Sequence, residues 1–243
     1  MGSPGGLKRV KIMRIILVAA LAMAPLMAQG NKQAKRLDEA TVVMSEIMAT
    51  PDKAIPRELL ERAHCIVVVP DEKSAAFIVG AKFGTGYLSC RKASGNGWSA
   101  PATIRIEGGS VGFQIGGKET DVVMLVMNEG GQNKLMESKF TLGGDASVAA
   151  GPVGRSTSAQ TDAQMHAEIL SWSRAQGLFA GVSLEGATLR PDVDDNAKLY
   201  GKRLGSREIV TTRMKMPKAA VRFVDELNKD SEHEKTTATG SGQ

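Results

Sequence analysis

The sequence predicts an α+β domain: a strongly bent antiparallel β-sheet, barrel- or sandwich-like, with helices packed at its amino- and carboxy-terminal ends. Three observations predict it. From Val111, apolar Val111, Phe113 and Ile115 alternate with Gly112, Gln114 and Gly116, the period of a half-buried strand. Val122 to Met127 (VVMLVM) is wholly apolar and too short for an ordinary helix, which reads as a central strand covered on both faces. Glycines, 27 in the chain, stand where strands must bend or meet another backbone closely. A chain of 243 residues suits one domain with a real core.

The amino terminus carries Lys8, Arg9, Lys11 and Arg14, then an apolar stretch from Ile15 to Ala28, then polar sequence. This is the layout of a secretory signal peptide, 1–28, cleaved after Ala28; an uncleaved anchor is the alternative. The expected divisions are therefore 1–28 leader, 29–229 folded domain and 230–243 disordered tail. Four of the 31 basic residues and none of the 26 acidic ones lie in the leader, so the remaining chain is close to neutral. That balance, with 4% aromatic residues, argues against a nucleic-acid partner.

Asn31 to Thr50 has Leu37, Ala40, Val43 or Met44, and Ile47 or Met48 at helical spacing, with Lys32, Lys35 and Arg36 at its polar end. It reads either as a helix packed on the sheet or as a membrane-surface helix. Pro56 to Ala63 is a second short helix. A strand begins at Cys65 and is stopped by Pro70-Asp71, and Ala75 to Gly86 is a further glycine-punctuated strand. Asn133 to Lys139 is a short helical turn capped by Asn133, and Phe140 to Leu142 is extended again. The small residues from Asp145 to Gly154 let backbones come close. Thr161 to His166 approaches a strand at Glu168, and Gly177 to Gly186 repeats the strand pattern. Asp194 or Asp195 caps a helix from Ala197 to Leu204, Ser206 to Val210 is another capped turn, and Pro217 to Asn228 is amphipathic with Ala220, Phe223, Val224 and Leu227 on one side.

Cys65 and Cys90 are the two cysteines. In an exported chain they are expected to pair, the alternative being two unpaired thiols. No third ligand with metal-site spacing accompanies them. The phosphate-binding loop and HExxH patterns are missing, Ser89-Cys90-Arg91-Lys92 lacks the partner motifs of S-x-x-K enzymes, and His64, His166 and His233 are scattered. Asp192, Asp194 and Asn196 imitate the start of a calcium loop, but Ala197 and Arg203 occupy its glycine and glutamate positions. The reading is no enzyme, no metal and no cofactor.

Gly97 to Asn128, Ser138 to Arg155 and Glu168 to Ala187 are similar to three successive blocks of the SYLF domain, and the resemblance covers roughly Leu37 to Leu227. It implies lipid binding, with phosphoinositide and actin-filament binding among eukaryotic members. The signal peptide argues against actin as a partner. The expectation is a non-catalytic envelope protein, periplasmic, extracellular or peripheral on an anionic phospholipid membrane; the alternative is an envelope structural or protein-interaction module without lipid binding. Basic residues beside glycine-rich bends form the candidate lipid-binding set: Lys35, Arg36, Lys82, Lys118, Lys134, Lys139, Arg155 and Arg174.

Overall fold

A computed structural model of the chain describes residues 32–50, 54–76, 79–94, 97–111, 116–154, 161–175 and 178–231. The predicted leader 1–28, Phe113 and Ile115 of the alternating strand, Arg155, and the tail beyond Ser231 lie outside them.

Helix α1 spans 32–49. Buried Gln33, Leu37, Ala40, Met44 and Ile47 recur in steps of three and four, with Thr41 and Val43 buried beside them, so one stripe faces the sheet. The packed reading is therefore the correct one, because the apolar face that would enter a membrane lies inside the core. Helix α2 (Arg57–Arg62) follows Pro56 and buries Leu59 and Leu60.

Strand β1 (Cys65–Ala76) pairs antiparallel with β2 (Val79–Cys90). Pro70-Asp71 does not stop β1, contrary to the sequence expectation. Asp71 adopts φ 51° and the register slips between Val69 and Glu72, a bulge that absorbs the proline without losing a central ladder bond. Gly86 lies against this irregularity, where a Cβ would stand 2.2 Å from the Val68 carbonyl oxygen. Ala75 to Gly86 is accordingly not one strand but the end of β1 and the start of β2.

Strands β3 (Ala102–Val111) and β4 (Gly116–Val126) flank that hairpin on opposite sides, a Greek-key order. Helix α3 (Glu129–Leu135) begins four residues before the predicted turn, because Asn128 supplies the cap: its side-chain oxygen accepts the Gly131 N–H at 2.8 Å. Next come β5 (Phe140–Thr141), β6 (Val148–Ala150), α4 (Asp162–His166), β7 (Ile169–Ala175), β8 (Leu178–Gly181) and β9 (Thr188–Pro191). The strand expected over Gly177 to Gly186 is thus only four residues long.

Helix α5 (Val193–Tyr200) is capped by Asp192, not Asp194 or Asp195, and ends before Leu204. The Asp192 carboxylate accepts the Asp195 N–H at 3.0 Å and is held from the other side by Arg105, which fixes the helix start. Helix α6 (Ser206–Thr211), a 3-10 turn (Lys218–Ala220) and α7 (Val221–Asp230) complete the chain, and α7 buries the predicted Phe223, Val224 and Leu227. Order continues past the predicted domain end: Ser231 is buried and accepts the Trp98 indole N–H at 2.9 Å.

The nine strands of the described residues form one sheet, ordered β5-β9-β3-β2-β1-β4-β7-β6, with β8 also on β7. Among the described strands only β6 pairs in parallel, and the sheet is strongly curled. Its chain connectivity demands that curl. Strands β5 and β6 sit at opposite ends of the order, roughly 34 Å apart in a flat sheet, yet the chain from Thr141 to Val148 reaches at most about 25 Å. The central strands are buried on both faces. Cys65, Val67, Val69, Val122, Met124 and Val126 enter one core with β5, β9 and α6, while Ile66, Val68, Val123 and Leu125 enter the other with α1, α2 and α7.

Cys65 and Cys90 are directly opposed in β1 and β2 and form a disulfide. With the loop they close, replacing both by serine is expected to lower unfolding stability by about 3 kcal/mol. A urea melt of the double variant against the oxidised parent checks this, and equal midpoints would contradict it.

Candidate functional site

Where α1 begins, among the described residues no helix covers the part of β2 and β3 around Phe83, which is left exposed. The alternation that buries Leu88, Ile104 and Ile106 turns Phe83, Thr85, Arg105 and Glu107 the other way. A cleft of about 620 Å³ opens there, walled by Lys32, Lys35, Arg36 and Glu39 of α1 and by Pro70-Asp71 of the β1 bulge. Phe83 is 52% exposed at this cleft. A half-exposed phenyl ring amid cationic side chains offers both an apolar anchor and a polar rim.

The cations differ in freedom. The Lys35 side chain is 79% exposed and reaches Glu39 at 3.1 Å, a surface i,i+4 pair of small energetic weight. Arg36, with a side chain only 15% exposed, bonds Asp195 at 3.0 Å and sits 3.4 Å from the Gln33 amide oxygen. Lys198 meets the same Asp195 at 2.7 Å. Burial alone would raise the Asp195 carboxyl, but hydrogen bonds from Lys198, Gln33 and Arg36 prevail and hold it at about 2. Tyr87, fully buried beneath, donates to the Gln33 backbone oxygen at 3.1 Å, and burial pushes its phenol well above the usual range. Arg105 bonds Asp192 at 2.7 and 2.9 Å, and Glu107 accepts from Arg190 at 2.6 Å. Each guanidinium of the cleft is thus tied to a carboxylate at the start of α5.

The remaining predicted residues do not converge here. Lys82 in β2 and Lys118 in β4 share a row of the sheet, both opposite Ser74. Lys134 of α3 lies beyond the other end of β4, eight residues or roughly 27 Å of strand from Lys118. It pairs with Glu168 at 3.1 Å, binding α3 to β7; burial would raise the Glu168 carboxyl, but Ser147 and Lys134 bring it below its usual value. Arg174 bonds Asp121 at 2.7 Å and also Glu46, joining β7, β4 and α1, and burial lowers its pKa. Lys139 is exposed between α3 and β5, and Arg155 lies outside the described residues. Of the candidate residues whose side chains are described, Lys35 and Arg36 line the cleft. Phe83 and Arg105 went unnoticed in the sequence, since each sits in an ordinary alternating strand and nothing local says that no helix covers it.

Among the described residues no three His, Cys, Asp or Glu side chains are grouped to hold a metal ion, and no helix is long and apolar enough to cross a membrane.

Comparison with known proteins places this geometry among relatives. Residues 107–230, half of the chain, match the Ysc84 family model, described as Las17-binding protein actin regulator. Protein YSC84 of Saccharomyces cerevisiae is 33% identical over 78% of this chain and 41% of its own length. SH3 domain-containing YSC84-like protein 1 is 35% identical in Xenopus laevis, over 73% of the chain and 52% of the relative. The rat protein of the same name is 32% identical over 87% and 61%. The chain therefore spans about half the length of the curated relatives it matches.

Proposed function

The chain belongs to the SYLF (Ysc84) family, and on that premise we propose that it is a non-catalytic protein binding anionic phospholipid membranes from the surface. The observation that carries the reading is Phe83, exposed within a cleft whose α1 wall presents Lys32, Lys35 and Arg36. An interfacial phenyl ring gains by entering the headgroup and acyl boundary, and neighbouring lysines reach phosphate oxygens. Export to the cell envelope is part of the proposal, supported by the leader-like amino terminus and by a disulfide of the kind oxidising compartments favour.

The test is sedimentation of residues 29–243 with phosphatidylglycerol-containing and with phosphatidylcholine vesicles at low and high salt. Binding is expected with the anionic vesicles alone and is expected to weaken with salt. Phe83→Ser is expected to reduce affinity about tenfold or more, the value of burying one phenyl ring. Equal binding to both vesicles, or to neither, would sink the reading.

A second reading, a protein-binding module, is favoured by the family model's description and the relatives' names, which speak of Las17 binding and actin regulation. An exported chain does not meet the actin of its own cell, so this reading requires an envelope protein as partner. It predicts that vesicle binding is absent while a protein is retained from envelope extracts through the folded domain.

A further inference from the structure

The cleft is nearly balanced in charge: its four cations face Glu39, Asp71 and Glu107, and Asp192 and Asp195 lie behind the guanidiniums. Long-range attraction to an anionic surface needs an uncompensated field, which such a cleft does not supply. That field is present elsewhere. Between residues 202 and 218 the chain carries six cations, Lys202, Arg203, Arg207, Arg213, Lys215 and Lys218, against the single acid Glu208. All six are exposed. Among the described residues only Arg203 is paired with a carboxylate, the exposed Asp194.

The segment is held as a ridge. Leu204, Ile209 and Val210 are buried, anchoring α6 on β2 and β3. After α6 the chain turns at Thr212-Arg213, where the Met214 N–H donates to the Thr212 oxygen at 2.9 Å, and Met214 and Met216 pack against the core while Arg213 and Lys215 are exposed. The carbonyls at the end of α6 are occupied by its own threonines: Thr211 donates to the Arg207 oxygen at 2.7 Å and Thr212 to the Glu208 oxygen at 2.6 Å. The cations therefore have no competing duty in the helix terminus.

We propose that this ridge is an electrostatic docking surface for an anionic bilayer, resting on the lipid reading above; α6 anchors it on the face of β2 and β3 that buries Leu88, Ile104 and Ile106, turned away from Phe83, so it is a contact separate from the cleft. A bilayer fits better than a nucleic acid. The helix in the ridge has six residues, too few to read a groove, and 202–218 contains no Phe, Trp or Tyr on which the bases of a single strand could stack. Each cation brought to an anionic surface multiplies affinity about fivefold. Reversing three of them (Arg207→Glu, Arg213→Glu and Lys215→Glu together) is therefore expected to lower affinity for phosphatidylglycerol vesicles at least about a hundredfold and to remove most of the salt dependence.

The experiment compares that triple variant with the Arg207→Lys, Arg213→Lys variant and the parent on the same vesicles, each with a thermal melt. The lysine variant is expected to bind as the parent does, since a diffuse field needs charge and not guanidinium geometry. Parent-like binding by the triple variant at unchanged melting temperature would overturn the ridge while leaving the cleft reading intact. A parent chain that binds no vesicle would overturn both. If the triple variant's melt collapses, the single reversals Arg213→Glu and Lys215→Glu replace it on the same vesicles: each is expected to lose about fivefold or more, and parent-like binding by both folded single variants would overturn the ridge.

Discussion

Gly151→Ala is expected to prevent stable folding. The residue follows edge strand β6, and its N–H donates to the Ser171 oxygen at 2.9 Å, pressing the backbone onto β7. A Cβ there would stand 2.0 Å from the fully buried indole of Trp172. That indole has no room to yield, since its N–H is fixed on the Pro152 oxygen at 2.9 Å. From the other side Gly181 of β8 approaches so closely that its own Cβ would meet the Gly151 oxygen at 2.0 Å. Overpacking against an immobile ring and backbone belongs to the exceptional class of substitutions, about 4 kcal/mol or more, a large share of the stability of a domain of this size. The check is soluble yield and a urea melt of Gly151→Ala beside Gly144→Ala, whose Cβ would find only ordinary contact at 3.7 Å. Parent-like midpoints for both would show that β6 and β8 can separate without cost.

Arg36→Ala is expected to lower stability by about 2–3 kcal/mol, whatever it does to membrane binding. Removing the guanidinium leaves Asp195, with its side chain 13% exposed, to Lys198 and the uncharged Gln33, and an under-compensated buried carboxylate is costly. The pH dependence follows from the depressed carboxyl. Its folded value of about 2 lies below that of an unfolded aspartate, so its contribution is complete above about pH 4 and fades as pH falls towards 2. The destabilisation caused by Arg36→Ala should therefore be full at neutral pH and shrink on acidification. A double-mutant cycle with Asp195→Asn, read as urea midpoints at neutral pH and near pH 3, measures the coupling; no coupling at neutral pH would refute the role. The result matters for function, because Arg36 had seemed from sequence alone to be free for a ligand, whereas Lys35 one residue away is the more available of the two.

Why the site was only partly legible follows from where its partners lie. Arg36 meets Asp195, Arg174 meets Asp121 and Glu46, and Lys134 meets Glu168, each across at least 34 residues of chain. Sequence shows a cation beside a bend; it does not show the carboxylate that a distant strand brings to it. The reverse holds for the ridge at 202–218, whose excess of cations is local and visible as a charge run, but disappears when charge is averaged over the whole chain.

The sequence by itself determined the α+β class, the apolar stripes of α1 and α7 and the doubly buried β4, because each is a matter of period or composition; it left the two cysteines paired or free, and the structure pairs them. Tertiary structure alone decided that Pro70-Asp71 is a bulge and not an end, that Asp192 caps α5, and that α1 turns its apolar face inward. It also decided which cations remain open to solvent. The physical reason is the curl of the sheet: it brings strands far apart in sequence around two cores, and the burial and ion pairing that assign each side chain its role exist only once those surfaces have met.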